Sequence, residues 1–140
     1  MIRFLLDTDH ITLQERGHAL VVAQLQRHAP ETAGVSIVTV QESLRGRLAA
    51  LQRKLQSTLV PQAYQNLHGA VSFFLSINIV PFTAECEAKF QELRSLRRHV
   101  GTLDLRIAAT ALVSDLTLVT RNQKDFSRVP GLRIEDWSAS

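Results

Sequence analysis

The chain has 140 residues, 45% apolar and 21% charged, a balance that suits one folded domain and excludes a disordered chain. Its single cysteine, Cys86, excludes an internal disulfide and any multi-cysteine metal cage. Sixteen Lys and Arg against thirteen Asp and Glu leave a net charge of +3 and a pI near 9.6.

A mild basic excess favours a polyanionic partner if the acids gather in one place and leave the remaining surface more basic. Apolar runs such as "AVSFFLSINIV" fall short of the roughly 20 residues that span a bilayer, so no membrane association is expected. Arg3 and Asp7 interrupt the apolar opening, which argues against a secretory signal. With one cysteine, read as a small half-buried residue, the expected compartment is a reducing cytoplasm.

The first apolar run, "IRFLL", reads as a buried strand that stops at Asp7. "HITLQERG" and "HALVVAQLQRHA" read as helices, split at Gly17 and stopped at Pro30. The β-branched "GVSIV", Gly34 to Val38, is the second predicted strand. From Val40 to Ser57, Leu44, Leu48, Leu51 and Leu55 recur at helical spacing. Pro61 opens the helix "PQAYQNLHGAVSFFLSI", and "NIVPF" is a short strand.

Thr83 caps a helix running to about Leu96, with Glu85 and Glu87 in its first turn. Gly101 and Thr102 introduce the helix "LDLRIAATALVSD". "LTLVT" is a strand, "NQKDF" a single helical turn and "LRIEDW" a last short strand. Strands alternating with helices predict an α/β fold: one domain over 1–140 with a short, mostly parallel sheet flanked by helices on both faces.

In such a sheet, ligands bind beyond the carboxyl ends of the strands. Asp7 follows the first strand, Glu42 lies four residues after the second, and Asn122 and Asp125 follow "LTLVT". Asp104 opens the helix before that strand, and Ala108, Ala109 and Ala111 let this helix approach the sheet. Each acid also has a local reading. Asp9 reads as an N-cap of the first helix, and Thr39 to Glu42 fits a capping box. Asp104 suits a helix dipole, and Asn122 with Asp125 has N-cap spacing.

Their common position favours a shared site. Carboxylates about 4 Å apart repel by about 4 kcal/mol at an effective dielectric of 20, so a cluster needs protons or a cation. An all-oxygen donor set favours Mg²⁺ or Mn²⁺ over zinc. A hard divalent ion there can activate water against a phosphodiester.

The blocks "FLLDTDHI", "VSIVTVQESLRG", "GTLDLRIAATAL" and "LVTRNQKDFSRVPGLRIEDW" resemble, in order and spacing, the four signature blocks of PIN domains. The likeness is greatest to the VapC branch, the ribonuclease toxins of type II toxin–antitoxin modules. It implies a Mg²⁺-dependent endoribonuclease with Asp7, Asp104 and Glu42 at the metal. Asn122 stands where many relatives carry an acid, and Asp125 is the alternative for that role. Asp9 replaces a usual Asn or Ser, which would add negative charge beside the metal, and Leu103 replaces a common polar residue.

The resemblance also implies an RNA substrate, with the initiator transfer RNA suggested by "PGLRIEDW". It implies further a VapB-type antitoxin partner, operator DNA contacted only through that partner, and a homodimer. Leu13, Val21, Val22 and Leu25, and the helix "LRGRLAALQRKL", are candidate docking faces, with ordinary core as the competing reading. Arg45, Arg47, Arg106, Arg121 and Lys124 are candidate phosphate contacts.

Two rivals remain at this stage. A haloacid-dehalogenase-type phosphotransferase fits "LDTDH", with Asp7 as nucleophile and Asp9 as acid/base. It leaves Glu42 unused and lacks a downstream Lys motif. A PIN-fold binding module with a dead site takes its support from Asn122.

Overall fold

The computed structural model describes residues 1–28 and 30–139. Five short strands form its centre: β1 (Phe4–Leu6), β2 (Ala33–Ser36), β3 (Asn78–Val80), β4 (Thr117–Val119) and β5 (Ile134–Glu135). They lie in the order β3-β2-β1-β4-β5, and every pairing is parallel. The helices are α1 (Thr8–Glu15), α2 (Ala19–Arg27), α3 (Ile37–Lys54), α4 (Val60–Ser76), α5 (Ala84–Leu93), α6 (Thr102–Val113) and α7 (Gln123–Phe126). The last residue of the second predicted helix, Ala29, lies outside the described residues.

Alternation along the strands divides the core in two. Leu5 and Leu118 face Phe90, Leu93, Leu105 and Ile107 of α5 and α6. Phe4, Leu6 and Val119 face Ile11, Val21, Ala70 and Phe74 of α1, α2 and α4. Helices therefore cover both faces, as a parallel sheet requires. Val21 is core, Leu13 and Leu25 pack against it partly buried, and Leu48 and Leu55 of α3 are exposed.

Among the boundaries that differ from the sequence reading, two matter for the site. The second strand ends at Ser36, whose hydroxyl accepts the Val38 amide at 3.0 Å and starts α3 there. Glu42 consequently sits in the second helical turn, so the predicted Thr39–Glu42 capping box does not form. The first helix begins at Thr8, and its N-cap is Asp7 rather than Asp9. The remaining caps fall as expected: Thr83 accepts from Cys86, and Asn122 from Asp125. Gly17, at φ +73°, adopts the left-handed conformation that closes α1 and turns the chain into α2.

Candidate active site at the carboxyl edge of the sheet

β1 and β4 are neighbours, so the residues that follow them emerge side by side. The Asp7 amide donates to the Val119 carbonyl at 2.9 Å and extends the ladder one step beyond β1. Asp7 is 6% exposed. Its carboxylate accepts the Thr8 amide at 2.8 Å and the Thr120 hydroxyl at 2.8 Å. Burial foremost, then the charge of Asp9, raises its pKa from 3.8 to about 7, against the lowering effect of those two bonds; Asp104 adds a smaller upward push.

Asp104 occupies the first turn of α6. Its pKa rises to about 6, first through burial and then through the charges of Glu42, Asp125 and Asp9. The electrostatics thus join the acids that the sequence reading grouped, and add Asp9. Glu42 reaches across from α3 to accept the Thr8 hydroxyl at 2.5 Å. Asn122 donates to the Asp125 carboxylate at 3.2 Å, so these two side chains act as a pair beside Asp104.

Sequence reasoning missed how Asp9 is held: it is not the predicted N-cap, and it adds negative charge beside the other acids, as the resemblance implied. Its Oδ2 accepts the Arg121 amide at 3.0 Å and lies 3.3 Å from the Thr120 hydroxyl. Thr120 was also missed; it was read as the end of a strand, yet it touches both aspartates and accepts the Asn122 amide at 3.0 Å. The sequence clue was present in the Asp-x-Asp spacing, but the partners lie more than a hundred residues away.

The candidate cations separate into groups. Arg47 is committed to structure: it bonds Glu15 at 2.7 Å, Ser43 at 2.7 Å and the Asn66 carbonyl at 3.2 Å, tying α1, α3 and α4 together. Arg106 lies over the Phe90 ring, 4.6 Å from its centroid, and borders a cleft of about 300 Å³ with Ile37, Gln41 and Phe82. Arg45, Arg121 and Lys124 are exposed around the acids' elements, α3, the β4 exit and α7. A wider concavity of about 650 Å³, lined by Arg3, Asp115 and Arg133, opens near the amino ends of β1 and β4 and holds none of these acids.

A family model of the PIN domain matches residues 4–132. This chain belongs to the PIN domain family. A relative named ribonuclease VapC2, from Rickettsia felis, is 39% identical over 72 residues, which cover 48% of this chain and 54% of that protein. The chain thus spans about half of that relative in the matched stretch. It is 28% identical to a protein named tRNA(fMet)-specific endonuclease VapC from Shigella flexneri, across 99% of this chain and 100% of that one. In three dimensions it resembles a chain of the DNA-bound VapBC crystal structure from Salmonella typhimurium, with TM-score 0.80, 25% identity, and coverage of 98% and 99%. The PIN fold displaces the phosphotransferase reading.

The donor chemistry fits a hard divalent cation. The carboxyls are oxygen donors, and two have raised pKa values, through burial first and then through neighbouring carboxylates whose repulsion a cation would relieve. Among the described residues, no three His, Cys, Asp or Glu side chains form a ready-made chelate.

Proposed function

We propose that this chain is a metal-dependent endoribonuclease, the toxin of a two-component module, held in check by a VapB-type antitoxin. One observation carries the reading: in a PIN-domain chain, Asp7 and Asp104 are raised to about 7 and about 6 by burial and by neighbouring carboxylates at one sheet edge. Groups so perturbed, and clustered, mark functional sites. The end-to-end likeness to the named VapC endonuclease and to the VapBC structure supports the substrate class and the partner.

Asp7 and Asp104 would hold Mg²⁺ or Mn²⁺, with Glu42 completing the acidic wall. Such an ion, when bound, lowers the pKa of water and offsets charge on a phosphodiester. Asp125, paired with Asn122, adds negative charge beside Asp104 and is within the same electrostatic field. Arg45, Arg121 and Lys124 would meet RNA phosphates around the site, with Arg106 at its flanking cleft. The expected substrate is structured RNA, a transfer RNA foremost, and the initiator transfer RNA is the first to test. A homodimer working in the cytoplasm completes the reading, with operator DNA reached only through the antitoxin. No helix among the described residues is long and apolar enough to cross a membrane.

The test is cleavage of pooled transfer and ribosomal RNA by antitoxin-free protein in Mg²⁺, Mn²⁺ or EDTA, beside folded Asp7→Asn and Asp104→Asn variants. Metal-dependent cuts at discrete positions, lost in both variants, are expected. RNA left intact by well-folded, antitoxin-free protein would replace the nuclease with a binding module, the reading that the Asn122–Asp125 pairing favours.

A further inference from the structure

His10 is completely buried in the first turn of α1, beside the acid cluster, and the proposed chemistry does not use it. Its ring is held at both nitrogens. The backbone amide of Trp137 donates to Nε2 at 3.1 Å, and Nδ1 lies 2.8 Å from Asp9 Oδ1. A nitrogen that accepts an amide proton carries none itself, so this bond assigns the proton to Nδ1, which donates to Asp9. Asp136 Oδ1 lies 3.4 Å from Nε2, but it is occupied by the Ser138 amide at 2.8 Å and the Ser138 hydroxyl at 2.6 Å.

The amide that fixes the ring is itself anchored. Trp137 is 3% exposed, stacks on His28 at 5.0 Å and meets Phe4 edge-on at 5.2 Å. Its indole N–H donates to Glu135 Oε2 at 3.0 Å. The "EDW" ending is thereby joined to the active site through a single ring, across 127 positions of sequence.

We infer that His10 is a positioning residue for the acid cluster: Trp137 fixes its tautomer, and its Nδ1–H orients the Asp9 carboxylate toward Thr120 and the Arg121 amide. Asp9 then presents a fixed negative charge to Asp7 and Asp104, the pair proposed to hold the metal. This rests on the nuclease reading for its consequence, though not for its geometry. Partners of this outer kind typically change metal affinity or activity by 10- to 100-fold.

Two substitutions separate the ring's two bonds. His10→Asn keeps a donor near the Nδ1 position, whereas His10→Gln keeps an acceptor near Nε2 and leaves Asp9 without its donor. The measurements are Mn²⁺ affinity by calorimetry, RNA cleavage, and thermal stability of each full-length variant. The expected result is a Mn²⁺ dissociation constant within about threefold of wild type for His10→Asn, and roughly 10-fold or more weaker for His10→Gln. Equal Mn²⁺ affinity in both variants, or equal losses in both, overturns the inference.

Ring-nitrogen chemical shifts of His10 in the unmodified protein give a readout that needs no variant. A protonated Nδ1 with a bare Nε2 is expected, and the opposite tautomer or a doubly protonated ring overturns the assignment. Wild-type protein that neither binds Mn²⁺ nor cuts RNA defeats the nuclease reading instead, and the shifts still decide the relay.

Discussion

Replacing Asp7 with Asn should stabilise the metal-free protein at alkaline pH while abolishing metal-dependent cleavage. The Asp7 carboxyl ionises near pH 7 in the folded protein against 3.8 in the open chain. At about 1.4 kcal/mol per pH unit, that difference is about 4 kcal/mol against the ionised native state. Below pH 3.8 both states are protonated and the penalty is absent. Between 3.8 and about 7 the unfolded chain has lost the proton that the folded one retains, so native stability falls as pH rises. Above about 7 the full penalty applies.

Asn has nearly the same shape. Its oxygen can still accept the Thr8 amide, and its amino group can donate to the Thr120 hydroxyl in reversed polarity. Some geometry is lost, so a net gain of about 2–3 kcal/mol is expected at pH 8 in EDTA, a rise in Tm on the order of 6–10 °C. At pH 3.5, where the ionisation penalty is absent, only the lost geometry remains and the variant should be about 1–2 kcal/mol less stable than wild type. Calorimetric or dichroic melts from pH 3.5 to 8.5 measure this directly. A variant that is less stable at pH 8, or a difference that does not change with pH, refutes the reasoning.

Metal binding should follow the same protons. Because Asp7 and Asp104 must be ionised to serve as ligands, Mn²⁺ affinity measured by calorimetry should strengthen steeply from pH 5.5 to 7.5 and then level, with proton release in the lower half of that range. Mg²⁺ at 100 times its dissociation constant should add about 2.7 kcal/mol to wild-type stability and nothing to Asp7→Asn, as melts will report. Thr120→Val removes the hydroxyl that serves Asp7 and accepts from Asn122, which should cost about 1–3 kcal/mol by chemical denaturation and weaken Mn²⁺ binding. Arg47→Ala should cost at most about 1 kcal/mol in stability and leave RNA affinity unchanged, since its partners are Glu15, Ser43 and Asn66. Lys124→Ala should instead weaken RNA binding and lower the salt-dependence slope by about 1 in filter or anisotropy titrations.

The strand and helix pattern was legible because apolar runs and caps are local: Thr83 opening α5 and Asn122 opening α7 needed no distant information. The end of β2 was not, because Ile37 and Val38 prolong a β-branched run that Ser36 has already capped into helix. That shift of two residues moved Glu42 from a cap to the second turn, where it meets Thr8. Asp7, Glu42 and Asp104 could be grouped from topology alone, because a parallel sheet brings the ends of adjacent strands together. The partners that hold Asp9, and the roles of His10 and Thr120, could not be read that way, because they lie 111 to 127 positions away or depend on a pairing register that local pattern does not encode.

The choice of partners around the acids has a physical logic of its own. Asp7 accepts from a backbone amide and a hydroxyl, Glu42 from a hydroxyl, and Asp9 from a backbone amide and a histidine whose other nitrogen is occupied by an amide. Among the described residues, no Lys or Arg side chain pairs with Asp7, Asp9, Glu42, Asp104 or Asp125; the ion pairs of Arg47, Lys89 and Arg133 go to Glu15, Glu92 and Asp115. A guanidinium beside Asp7 would orient it equally well, but it would also cancel the charge and pull its pKa down. Neutral donors fix the geometry and leave the charge uncompensated. The metal-free fold answers the repulsion by raising the pKa of Asp7 and Asp104, and on the proposed reading a divalent cation bound there would displace their protons while relieving it.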